Sequence, residues 1–233
     1  MNAFYTNAND LKNKISELQI VARTSGCKVL GITETMFSSD LYDAEISIPN
    51  FKLFRVDRLT GKGGGSCIYV HDSIQSHEIQ INVPDCICVN LTFDSINIAI
   101  FVIYRAPSLS LNNCKSMLDN LSVVINSLAP DTESVMMGDF NLPDVSWDLG
   151  TVKCPINSNN QKYVIQQLFL DFFAKHDLSW VIGDDVKTRR RQVLTEMQSA
   201  TLDNVLTTDS IISSANGLLP IVKNMSLMRR GTG

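Results

Sequence analysis

The sequence predicts an α+β fold in which two sheets pack face to face with helices on the outside. Three observations carry this. Strand-like and helix-like segments alternate in the order β-α-β, β-meander, α, β, α, β. No repeat, linker or low-complexity tract divides the 233 residues, so one domain is the better count. Hydrophobic residues make up 44% and charged residues 19%, a globular composition that excludes a disordered or fibrous chain.

Phe4-Tyr5 and Val29 to Thr33 are short apolar segments with strand character. Between them Asn9 to Thr24 reads as an amphipathic helix, with Leu11, Ile15, Leu18 and Val21/Ala22 on one stripe, Asn9 or Asp10 as cap and Gly26 after its end. In such a strand–helix–strand unit Asn7 and Glu34 follow the two strands and emerge at one sheet edge. Lys52 to Arg58 and Ser66 to Val70 flank a glycine-rich turn, Gly61-Lys62-Gly63-Gly64-Gly65. That turn is not a phosphate-binding P-loop, because no GK[ST] follows a strand and opens a helix. His77 to Val83, Cys86 to Phe93 and Asn97 to Ile103 continue the meander. Ser110 to Leu128 is a second helix, Ser134 to Gly138 a strand, and Gln161 to His176 a third helix with His176 as a C-terminal cap. Ala200 to Thr207 and Leu218 to Val222 read as further strands.

Charge and cysteines bound the function. Twenty Lys+Arg against twenty-four Asp+Glu leave a net charge of -4. Nucleic-acid contact must therefore come from local basic clusters, or from a divalent metal between carboxylates and phosphate. The run Arg189-Arg190-Arg191 reads as a DNA-backbone contact or as a solvated loop. The six cysteines are scattered without zinc spacing and read as free thiols. Cys86 and Cys88 are read as facing opposite sides of one strand. No apolar run approaches the roughly 20 residues of a membrane helix, and the polar start lacks a signal peptide, so a soluble, intracellular chain is expected. Trp147 is expected to pack over the loop beyond Asn141, with stacking on DNA bases as the alternative.

Three strand ends could carry chemistry: Ile32-Thr33-Glu34-Thr35, Tyr104-Arg105-Ala106-Pro107 and Gly138-Asp139-Phe140-Asn141-Leu142-Pro143. Each alone is compatible with an ordinary strand exit, the third least so, because its glycine permits close backbone approach. Together, Asn7, Glu34, Tyr104, Asp139 and Asn141 are the set that phosphodiester hydrolysis requires. Glu34 and the Asn7 amide offer oxygen ligands to a hard cation. Asp139 can orient and deprotonate water. Asn141 and Tyr104 can hold phosphate oxygens as charge builds.

Tyr5-Thr6-Asn7-Ala8, Ile32-Thr33-Glu34-Thr35, Asp57-Arg58 with Gly63-Gly64-Gly65, Tyr104-Arg105-Ala106-Pro107, Gly138-Asp139-Phe140-Asn141 and Thr201-Leu202-Asp203-Asn204-Val205-Leu206-Thr207 occur in that order. This pattern resembles the endonuclease domain of non-LTR (LINE-type) retrotransposon polyproteins, within the endonuclease/exonuclease/phosphatase superfamily of AP endonucleases and DNase I. The resemblance spans Tyr5 to about Val222 and implies a four-layered α/β sandwich. It further implies a Mg²⁺-dependent nick in double-stranded DNA, with Mn²⁺ as a substitute, and a reverse transcriptase domain as partner in a longer polyprotein. Location would be nuclear, without a membrane. Carried over residue by residue, Asn7 and Glu34 match the metal positions and Tyr104 the phosphate-contacting tyrosine. Asp139 matches the water-activating aspartate, Asn141 the phosphate-orienting asparagine and Asp203 the support of a catalytic histidine. Arg58, Arg105 and Arg189 are the expected DNA contacts. The family's Ser-Asp-His segment and closing strand have no counterpart after Leu218-Leu219-Pro220, and no Asp or His follows Asp209. The expectation is therefore a domain over residues 1–222, a divergent and disordered tail over 223–233, and two rivals to the endonuclease. One rival is a catalytically impaired, truncated remnant, the other a different phosphoesterase of the superfamily.

Overall fold

The computed structural model describes residues 1–58, 63–153, 160–181, 189–193, 196–200 and 203–208. In chain order the elements are β1 (Ala3–Asn7), α1 (Ile15–Thr24), β2 (Val29–Thr33), β3 (Phe51–Val56), β4 (Ser66–His71), β5 (Gln75–Ile79), β6 (Cys86–Phe93) and β7 (Ile96–Tyr104). There follow α2 (Leu111–Ser127), β8 (Thr132–Asp139), β9 (Val145–Ser146), β10 (Thr151–Val152), α3 (Gln161–Lys175), β11 (Leu178–Trp180), β12 (Arg189–Val193), β13 (Glu196–Ala200) and β14 (Asp203–Thr208).

Two mixed sheets form the centre. One has the order β1-β2-β4-β3 and the other β11-β14-β8-β7-β6-β5. Within them β1 and β2 are parallel, as are β7 and β8, and the remaining pairs are antiparallel. Strand alternation sorts the side chains into three apolar layers. Val29, Ile68 and Val70 from the smaller sheet meet Val89, Ile100, Val102 and Met137 from the larger one. On the outer face of the smaller sheet Leu30, Ile32 and Tyr69 receive Leu11, Leu18 and Val21 of the α1 segment. On the outer face of the larger sheet Phe101, Met136 and Leu206 receive Leu118 and Leu121 of α2 and Phe169 and Phe173 of α3. The layers therefore run helix, sheet, sheet, helices.

Several local expectations change. The first helix begins at Ile15 behind a short 3-10 turn, because Asn9 and Asp10 take left-handed φ values of 44° and 77° and cannot continue a helix backwards. Ser110 caps α2 through Asn113 N–H, and Asn160 caps α3 through Lys162 N–H. The expected strand Ala200 to Thr207 is two strands, since Ala200 ends a β12–β13 hairpin and β14 starts at Asp203. Arg189 to Arg191 lie in β12 rather than in a loop. Cys86 and Cys88 share the helix-facing layer while Ile87 faces the other sheet, as a period of two dictates for residues two apart. The expected strand Leu218 to Val222 and the 223–233 tail lie outside the described residues. Among the described residues, no helix is long and apolar enough to cross a membrane.

Candidate active site

The carboxyl ends of β1, β2, β7 and β8 and the amino end of β14 meet at one edge of the sandwich. Asn7, the last residue of β1, pairs with Thr33 of β2. The two exits stay zipped: Ala8 N–H donates to Thr33 O (2.9 Å), Asp10 N–H to Glu34 O (3.0 Å) and Leu11 N–H to Thr35 O (3.0 Å). Glu34 turns out of the strand with φ 51°. In the larger sheet Tyr104, Asp139 and Asp203 occupy one register row across β7, β8 and β14. Gly138 makes the β7–β8 approach feasible, since a Cβ there would lie 2.1 Å from Ile103 O.

The two sheets are joined at this edge by a side-chain bond. Asn7 Nδ2 donates to Asp139 Oδ2 at 2.8 Å, although the residues are 132 positions apart. Asn141 N–H donates to the other oxygen, Asp139 Oδ1, at 3.1 Å, and Asn9 N–H donates to Asn7 Oδ1 at 3.1 Å. Asp139 is buried, as is Asn141. Burial, followed by the charges of Glu34 and Asp139, pushes the pKa of the Tyr104 hydroxyl well above the ordinary value. It thus remains a neutral donor beside two carboxylates.

Tyr104 is supported from behind by Asp85. The Arg58 guanidinium stands 5.5 Å from the Tyr104 ring centroid and forms an ion pair with Asp85, its Nε donating at 3.1 and 3.0 Å and its Nη2 to Oδ2. Asp85 also accepts from Gly65 N–H (2.8 Å) on a side-chain oxygen, and its carbonyl accepts from Ser66 Oγ (2.7 Å) and Tyr104 N–H (3.2 Å). A groove of about 310 Å³ opens beside Arg58 and Tyr104, walled by Val83, Pro84, Leu109 and Met117.

Of the three basic residues, the structure corrects Arg105. Arg105 is 4% exposed, with its guanidinium turned onto carbonyl oxygens, so it does not present a charge to DNA. Arg58, with a half-buried side chain, lines the groove beside Tyr104 while paired with Asp85. The backbone of Arg189 lies in the two-stranded β12–β13 sheet, paired with Ala200, and its side chain lies outside the described residues, as does that of Asp203. Trp147 is fully buried against Phe173 and Trp180, which removes it as a stacking platform for DNA. No histidine of the sequence lies at the edge. His71 is at the opposite end of β4, His77 on edge strand β5, and His176 at the end of α3 with Nε2 2.8 Å from Ser122 Oγ. Sequence reading missed Asp85, whose Pro84-Asp85 context looks like turn punctuation.

The donor set suits a hard divalent cation. Among the described residues no three His, Cys, Asp or Glu side chains cluster, but the Glu34 and Asp139 charges both act on Tyr104 and the Asn7 amide is bonded to Asp139, and such an ion needs only one or two carboxylates when it keeps several waters.

The sequence profile described as endonuclease-reverse transcriptase matches residues 98–224, more than half of the chain. The chain belongs to this family. Tyr104, Asp139 and Asn141 fall within the matched region, whereas Asn7 and Glu34 precede it and are brought in by the fold. Solved structures with the same fold include the endonuclease domain of TRAS1, a telomere-specific non-LTR retrotransposon, at 14% identity and a TM-score of 0.66 over 90% of this chain and 85% of that one. The 3'-5' exonuclease NExo from Neisseria meningitidis follows at 13% and 0.64, covering 93% and 94%. The AP endonuclease LMAP from Leishmania major has 14% and 0.64, covering 90% and 79%. No curated protein matches significantly. The family's place in the endonuclease/exonuclease/phosphatase superfamily makes the chain one of the phosphodiester-hydrolase fold.

Proposed function

We propose that this chain is a divalent-metal-dependent endonuclease that nicks double-stranded DNA and leaves a 3′-hydroxyl. The observation that carries the reading is the Asn7–Asp139 bond, which fuses the ends of two sheets into one polar edge beside Glu34 and Tyr104. Asp139 receives a donor on each carboxylate oxygen, Asn7 Nδ2 on one and Asn141 N–H on the other, which fixes its plane for orienting an attacking water. Tyr104, kept protonated, supplies a neutral donor to a phosphate oxygen as negative charge builds there. Glu34 and the Asn7 amide oxygen would hold Mg²⁺ or Mn²⁺, which supplies charge neutralisation at the phosphate. Asp203 lies beside Asp139 in register and is proposed to complete the acidic row.

The test is nicking of supercoiled plasmid with Mg²⁺, with Mn²⁺ and with EDTA, followed by polymerase extension from the nick. Asp139→Asn is expected to slow nicking by about 10²–10⁴-fold, and EDTA to abolish it. Equal rates for wild type and Asp139→Asn would overturn the assignment. A slower catalyst is the second reading, favoured because all three histidines lie away from the edge. Under that reading, appending the family's Ser-Asp-His segment and last strand raises the rate by about 10²-fold.

A further inference from the structure

Arg105 follows Tyr104 directly at the exit of β7, and it touches each of the three residues from Asp139 to Asn141. Its backbone N–H donates to Asp139 O at 3.0 Å. Its Nε donates to Phe140 O at 2.6 Å, and its Nη2 to Asn141 O. Its carbonyl in turn accepts from Asn141 Nδ2 at 2.9 Å. Asn141 is held at φ 50°, a left-handed conformation that costs free energy unless surrounding bonds enforce it. Other neighbours of the guanidinium include Ala106 O at 3.3 Å, the Cys114 thiol and the Phe169 ring with its centroid at 5.8 Å, and the Asp139 charge works against its desolvation. Among the described residues no carboxylate forms an ion pair with it.

Burying a guanidinium without a counter-charge is unfavourable, and desolvation accordingly pushes the pKa of Arg105 down. A core that needed only volume here would be served better by leucine or methionine. What arginine supplies is a rigid planar fork whose separate N–H groups reach two successive carbonyls, a geometry that the single ammonium of lysine does not reproduce. Those two carbonyls belong to the turn that delivers Asp139 and Asn141 to the edge.

We propose that Arg105 is a positioning residue, a buried clamp that fixes the Asp139–Phe140–Asn141 turn and thereby sets the Asp139 carboxylate and the Asn141 amide for phosphodiester cleavage. This role rests on the endonuclease reading for its catalytic half and on the hydrogen bonds alone for its structural half. The clamp acts on the turn, not on the nucleic acid.

The experiment pairs plasmid-nicking kinetics with amide hydrogen exchange on wild type, Arg105→Lys and Arg105→Gln. Misplacing a reacting group by about 1 Å costs on the order of 10²-fold. In both variants kcat is therefore expected to fall ~10–10²-fold with KM for duplex changed less than about twofold. The Asn141 amide, which donates to Asp139, should exchange at least about tenfold faster while the β6 amides keep their protection. If Arg105→Lys loosens β6 as well, Arg105→Gln, which buries no charge, carries the comparison. A raised KM with unchanged kcat and a flattened salt dependence would mean a DNA contact and overturn the clamp. Unchanged Asn141 exchange would overturn it too, whatever the rates. If wild type itself fails to nick, the endonuclease reading falls, and the exchange result still decides whether Arg105 holds the turn.

Discussion

Asp85 ties together three segments that no motif links in sequence: the exit of β3 through Arg58, the entry of β4 through Gly65 and Ser66, and the exit of β7 through Tyr104 N–H. Its side chain is 7% exposed and that of Arg58 is 23%, so removing the carboxylate charge takes an ion-pair partner from a partly buried guanidinium. Asp85→Asn is expected to lower unfolding free energy by about 3 kcal/mol, the low end for breaking a buried pair. Urea denaturation checks this, and a loss under about 0.5 kcal/mol, typical of surface substitutions, would show that solvent already screens the pair. At this scale the sequence made Asn7, Glu34, Tyr104, Asp139 and Asn141 legible because each sits at or just beyond a strand end, where period-two patterning stops and a polar residue stands out. Asp85 was illegible because an acidic residue after proline is ordinary in turns. Arg105 was misassigned for a related reason. An arginine in a loop is usually solvated, and only tertiary structure shows the carbonyls that fill its fork.

Among the elements, α2 and α3 are locked to each other by more than apolar packing. His176 caps α3 with its N–H on the Phe172 and Phe173 carbonyls, and its ring lies 4.8 Å from that of Phe172 with Nε2 2.8 Å from Ser122 of α2. Burial, followed by the Lys175 charge, lowers its pKa below the ordinary 6.5, while Asp177 works against the shift. The unfolded chain therefore takes up the proton at a higher pH than the folded chain. Above about 6.5 this histidine has no pH-dependent effect, and as pH falls below it the unfolded state gains. Wild type should lose melting temperature between pH 7 and pH 5 more steeply than His176→Gln, which does not titrate. Parallel melting curves for the two over that interval would refute the linkage. Helices and central strands were legible because their stripes and alternation are long. The first-turn error at Asn9-Asp10 came from reading cap residues where the backbone makes a left-handed turn. The β12–β13 hairpin lay hidden in a polar, charged stretch without apolar alternation, where pairing depends on backbone bonds that side-chain patterning does not report.

The whole molecule works as a spacing device, since the edge exists only while two sheets hold Asn7 and Asp139 at hydrogen-bond distance. Their separation is set by the layer between them, and one tight point in it is Gly31 in the middle of β2. A Cβ there would lie 2.5 Å from Met137 Sδ and 2.8 Å from Val102 Cγ2, both on the opposing sheet. The methionine sulfur can swing aside, whereas the branched valine, fully buried, cannot. Gly31→Ala is thus expected to cost about 1–3 kcal/mol through overpacking, despite the smaller backbone entropy that alanine loses on folding. Because the strain acts across the layer, it should also lengthen the Asn7–Asp139 bond and slow nicking more than stability loss alone explains. Adding Val102→Ala removes the methyl in the way. The double-mutant cycle of Gly31→Ala and Val102→Ala should therefore show favourable coupling in urea denaturation, of the 0.5–3 kcal/mol order seen for residues in contact. Simple additivity would mean that Gly31 does not set the spacing, and that the contact across the sandwich is held open elsewhere in the Val29–Val89–Ile100 layer.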